Sequence, residues 1–113
     1  MSDLPETRRD ARDMDLELRY FDGCPNWKTA DERLRQALAA AGQGALDVTY
    51  RKVARPAEAE RLGFRGSPTV LVDGHDPFAD ESAPVGLACR IYQTEAGAEG
   101  APSVAQLTRA LRR

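Results

Sequence analysis

Apolar and polar positions change their period several times along this chain, and each change marks an element. Leu16, Leu18 and Tyr20 alternate with Glu17, Arg19 and Phe21, a period of two that predicts a strand ending at Asp22-Gly23. Pro25 then suits the first helical position, where its missing N–H has no partner to lose. Behind it Trp27, Ala30, Leu34, Ala37, Leu38 and Ala41 recur at three- and four-residue spacings until Gly42, the pattern of a long amphipathic helix. Leu46, Val48 and Tyr50 alternate with Asp47, Thr49 and Arg51, which predicts an edge strand with one wet side.

A short helix follows from Pro56 to Leu62, closed by Gly63, and Gly66-Ser67-Pro68 leads into Thr69-Val70-Leu71-Val72. Four consecutive β-formers of that kind predict a central strand covered on both sides. Asp73-Gly74 opens a long, mostly polar loop, Gly74 to Gly86, after which Leu87 to Gln93 reads as the last strand, with Leu87, Cys89 and Ile91 facing one way. A Gly/Ala-rich loop separates it from a closing helix that Ser103 and Gln106 cap, with Val104, Leu107 and Leu111 as its buried stripe. The order β-α-β-α-β-β-α predicts one α/β domain over residues 15–113. Residues 1–14 carry neither period and are expected to form a disordered arm, or an upstream-start extension ahead of Met14.

Composition narrows the function classes. A chain of 113 residues has room for one domain that buries roughly two-thirds of its unfolded surface. No window approaches the ~18 uninterrupted apolar residues of a membrane span. Sixteen basic residues nearly cancel eighteen acidic ones, so there is no basic field to gather nucleic acid or anionic lipid. Neither partner is expected. Only Cys24 and Cys89 are present and no signal-peptide pattern is seen, which predicts a cytoplasmic setting in which two thiols are either core residues or chemistry.

Tyr20-Phe21-Asp22-Gly23-Cys24-Pro25 puts a cysteine between the first strand and the first helix, and Ser67-Pro68-Thr69 stands before the third strand. In these motifs and in its element order the chain resembles the thioredoxin-like family. The resemblance implies a four-stranded mixed sheet with helices on both faces and a cis peptide at Pro68, whose backbone meets the bound substrate chain. More narrowly, the Phe21-to-Trp27 and Gly63-to-Thr69 segments look like a group of small bacterial thioredoxin-family proteins often labelled alkylmercury lyase. Organomercurial lyases use two cysteines and an aspartate three residues after the first; Trp27 stands at that position here.

A cysteine just ahead of a helix lies where free N–H groups and the positive end of the macrodipole favour an anion, so Cys24 is the expected nucleophile with a modestly lowered pKa. Burial and the like charge of Asp22 oppose that shift. The thioredoxin pattern has a second cysteine where this chain has Trp27, so exchange requires an outside thiol or Cys89. In the resembled fold the last strand runs antiparallel to the third, which separates Cys89 from Cys24 by about 15 Å at 3.3 Å per residue. Cys89 is then a buried strand residue, with a second thiol as the alternative. The expected substrate-binding residues are Asp22, Pro25, Trp27, Arg65, Ser67, Pro68 and Thr69, with Trp27 as core, pocket wall or apolar lid and Arg65 near a thiolate or anionic partner. No cofactor or metal is expected, because the acids around His75 match no calcium or zinc spacing. Three functions follow: thiol redox exchange or soft-electrophile and metal binding at Cys24, with a low-molecular-weight or protein thiol as partner; an organomercurial lyase-like reaction using Cys24 and Cys89; and a non-enzymatic binding module.

Overall fold

The computed structural model describes residues 14–112. Its elements are β1 (Leu16–Tyr20), α1 (Asn26–Ala40), β2 (Thr49–Lys52), α2 (Pro56–Leu62), β3 (Thr69–Val72), β4 (Tyr92–Thr94), β5 (Gly97–Glu99) and α3 (Val104–Leu111). β1 is the middle strand of a three-stranded sheet, parallel to β2 and antiparallel to β3. The register pairs Leu16 with Val72 and Leu18 with Val70. Their side chains join Leu34 and Leu38 of α1 and Leu107 and Leu111 of α3 in the main core. Each such buried side chain stabilises the fold by about 1.5–3 kcal/mol relative to exposure. α2 buries Ala59 in a smaller cluster with Val53 and Phe64.

Local chemistry explains the element ends. Pro25, expected as the first helical residue, stands one position earlier, at the N-cap of α1, which begins at Asn26. Gly63 closes α2 with φ 66°. Ser103 and Gln106 form both halves of the capping box, with Gln106 N–H donating to Ser103 Oγ at 3.0 Å and Ser103 N–H to Gln106 Oε1 at 2.9 Å.

The last third of the chain differs from expectation. The fourth strand of one sheet is absent among the described residues; β4 instead pairs with β5 as a separate antiparallel ribbon. β5 lies in the stretch read as a Gly/Ala-rich loop. The expected strand from Leu87 to Gln93 has a period of two, but its faces are inverted. Arg90 and Tyr92 are buried, whereas Cys89 and Ile91 are exposed. A one-residue shift of register moves every side chain to the other face, and the buried arginine has partners that outweigh its hydropathy. Met14, assigned to the arm, is also buried in the main core; residues 1–13 lie outside the described part.

Candidate functional site: a half-buried cystine

The antiparallel pairing of β1 with β3 sets Arg19 opposite Thr69. The chain leaving β1 therefore lies beside the chain entering β3, which brings Cys24 next to Ser67 and Pro68. The Ser67–Pro68 peptide is cis. Cys24 sits in a turn closed by its N–H on the Phe21 carbonyl at 3.0 Å, just ahead of α1, and its residue exposure is 0%. Its Sγ lies 3.7 Å from the Ser67 carbonyl oxygen.

Cys24 and Cys89 form a disulfide with a Cα–Cα distance of 5.7 Å. The expected separation of about 15 Å assumes that the chain turns back from β3 and stays paired with it. It turns back at Asp73, φ 53°, and Gly74, where Val72 and His75 form an antiparallel bridge, but the pairing stops there; the loop runs on to the chain ahead of β3, where Gly86 N–H donates to the Phe64 carbonyl at 3.0 Å. The chain thus arrives parallel, and Cys89 forms a one-residue bridge with Ser67. Ser67 N–H donates to the Ala88 carbonyl at 2.8 Å and Arg90 N–H to the Ser67 carbonyl at 2.9 Å. Gly66 permits this approach: at φ 116°, a Cβ there would lie 3.0 Å from Arg90 Cβ and 3.3 Å from the Ala88 oxygen. Cys89 is exposed and lines a cleft of about 490 Å3 with Phe78, Pro84, Ile91 and Tyr92. It is not a core residue.

The other expected site residues divide into two groups. Ser67, Pro68 and Thr69 are buried at the cystine or beside it. Thr69 Oγ1 donates to the Gly66 carbonyl at 2.7 Å, and the Ser67 hydroxyl has no hydrogen-bond partner. Pro25 is exposed at the helix start. Asp22 points to solvent and pairs with Lys52 Nζ at 3.0 Å, which offsets its charge near Cys24. Trp27 stacks on Tyr20 with ring centroids 4.4 Å apart and packs, half-buried, against the main core. Arg65 donates to the Glu81 and Ala83 carbonyls, which pins the loop, and it lines the same cleft as Cys89. Phe78 packs against the main core and edge-on to Tyr92. No cluster of His, Cys, Asp and Glu suited to a metal ion occurs among the described residues.

Sequence reasoning missed Arg90. Its side chain is 6% exposed and donates to Asp76 Oδ2 at 2.7 Å, to Thr69 Oγ1 at 3.2 Å and to the Phe78 carbonyl. Its guanidinium also lies 4.6 Å from the centre of the Tyr92 ring. Tyr92 hydroxyl donates to the Pro68 carbonyl, and burial pushes its pKa well above the ordinary phenol value. Among fourteen arginines nothing local distinguishes this one; the only signal is its alternation with Cys89. No helix among the described residues is long and apolar enough to cross a membrane. Compared with protein-family models, with curated proteins and with solved structures, the chain shows no match.

Proposed function

We propose that this is a thioredoxin-like thiol–disulfide exchange protein in which the exposed Cys89 exchanges with the partner and Cys24, at the start of α1, is the resolving thiol. The observation that carries the reading is the asymmetry of the cystine: one half is fully buried at a helix start and the other is exposed in a cleft. A partner thiolate attacks the exposed Cys89 sulfur. The Cys24–Cys89 bond breaks and Cys24 leaves as a thiolate, which the unpaired N–H groups and dipole at the helix start favour. A second partner thiolate then attacks the partner sulfur of the mixed disulfide and releases Cys89. Two partner thiols are oxidised by two electrons, and the protein pair is reduced by two. Run backwards, the same steps reduce a partner disulfide.

Ile91, 63% exposed on the cleft wall, suits a polypeptide thiol better than a small hydrophilic one. The test is non-reducing peptide mapping and mass spectrometry after equilibration with glutathione buffers of graded ratio. A reversible Cys24–Cys89 bond is expected; a pair that stays as two thiols, or never exchanges, removes the proposal.

The paired cysteines also favour a second reading, an organomercurial lyase-like protein. There both sulfurs hold mercury while a proton is delivered to the carbon as the carbon–mercury bond breaks. The residue at the position of the lyase aspartate is Trp27, stacked on Tyr20. Absence of benzene release from a phenylmercury salt ends this reading. Full function in cells after Cys24→Ser would favour a non-enzymatic module over both.

A further inference from the structure

We propose that Arg90 is a positioning residue that holds Cys89 beside Cys24 when the disulfide is open, so that the pair closes again as a preorganised dithiol. This rests on the exchange reaction proposed above. Arg90 is the next residue after Cys89, and with the strand-like alternation its side chain points inward while Cys89 is exposed. The guanidinium ties two separate parts of the molecule to this segment through three contacts: the returning loop, at the Asp76 carboxylate and the Phe78 carbonyl, and the entry of β3, at Thr69. The Tyr92 ring lies against the guanidinium, and the Tyr92 hydroxyl reaches Pro68. Arg90 N–H completes the bridge to Ser67, whose carbonyl oxygen lies 3.7 Å from Cys24 Sγ.

None of these contacts passes through sulfur, so all of them survive reduction. A thiol on a loose segment meets its partner at an effective concentration of about millimolar, set by the tether. A thiol already held within reach does so at a far higher effective concentration, because little translational and rotational freedom remains to be lost. Arg90 acts on the sulfur through the backbone it anchors; no contact joins the guanidinium to either sulfur.

The experiment measures the equilibrium in which two glutathione thiols are oxidised to glutathione disulfide as the cystine takes up two electrons and two protons. Wild type, Arg90→Lys, Arg90→Met and the exposed-site control Arg109→Met are compared, with hydrogen exchange of the Ser67 and Arg90 amides in the reduced proteins. The expected result is an equilibrium shifted toward the dithiol at least ten-fold by either Arg90 substitution, with both amides losing protection and the control unchanged. If Arg90→Met does not fold, Asp76→Asn, which removes the guanidinium's charged partner, takes its place. Folded Arg90 or Asp76 variants with the wild-type equilibrium overturn the inference. The wild-type protein alone reports on the exchange reaction itself, so failure of that reading is seen before any variant is compared.

Discussion

The Ser67 carbonyl oxygen lies 3.7 Å from Cys24 Sγ, and the same oxygen accepts the Arg90 N–H at 2.9 Å. One backbone group thus faces the buried sulfur and at the same time holds the chain that carries its partner. As a half-cystine, Cys24 has no proton to donate; reduced, its thiol has an acceptor already in place. That carbonyl opposes ionisation, while the helix start favours it by about 0.3–1 kcal/mol or somewhat more where solvent is excluded. Lys52 offsets the like charge of Asp22.

The balance predicts that Cys24 is activated. In a Cys89→Ser protein, the alkylation rate of Cys24 against pH should have its midpoint below ~8.5, the free-thiol value. A midpoint at or above that value would show that burial and the Ser67 carbonyl outweigh the helix.

Opening the cystine should lower stability without unfolding the domain. The bond closes a separation of 65 residues, for which chain entropy gives at most about 4 kcal/mol. Cys89→Ser should therefore cost about 2–4 kcal/mol in urea unfolding while far-ultraviolet circular dichroism stays native, because both core clusters form without sulfur. A Cys89→Ser protein that is unfolded in buffer would contradict this.

The Asp76–Arg90 pair should matter far more than the Asp22–Lys52 pair. Asp76→Ala leaves a guanidinium buried without its counter-charge, at a cost of about 3 kcal/mol or more. Lys52→Ala removes an exposed pair worth less than about 1 kcal/mol. Chemical denaturation of the two variants decides the order, and equal losses would mean that the buried pair is better solvated than its surroundings imply.

Burial raises the Tyr92 pKa, and its hydroxyl donates to Pro68. The sign follows from proton counting. Above about pH 10 the unfolded chain loses the phenol proton and the folded one keeps it, so stability is present below that pH and falls as pH rises, by up to about 1.4 kcal/mol per unit. Tyr92→Phe should flatten the alkaline limb of a stability-against-pH curve; an unchanged limb would assign it to other groups.

Gly66→Ala and Gly42→Ala both place a side chain at positive φ, but only the first meets close neighbours, at Arg90 and Ala88. Gly42→Ala should cost about 1 kcal/mol. Gly66→Ala should cost more and also weaken the Cys89 segment, read as faster hydrogen exchange at the Ser67 and Arg90 amides. Equal behaviour of the two variants would contradict the close approach.

Much of the fold was legible locally. The period of two at Leu16 to Tyr20, the three-and-four spacing from Ala30 to Leu38, Gly63 as a stop and Ser103 with Gln106 as a cap all act within a turn or a strand, so neighbours in sequence suffice to read them. Cys24 at a helix start was legible for the same reason. The course of the chain after Val72 was not. Whether Cys89 or Arg90 points inward depends on partners 12 to 65 residues away: Asp76 and Phe78 in the loop, Thr69 at the entry to β3, and Cys24 itself. Hydropathy ranks arginine outside and cysteine inside, and this ranking reversed because a guanidinium with its donors satisfied can be buried beside a sheet. The sequence by itself determined one α/β chain with a cysteine at the head of its first helix. Only tertiary structure decided that the second cysteine returns to it, since that depends on how a loop runs back to the chain ahead of β3 and what holds it there.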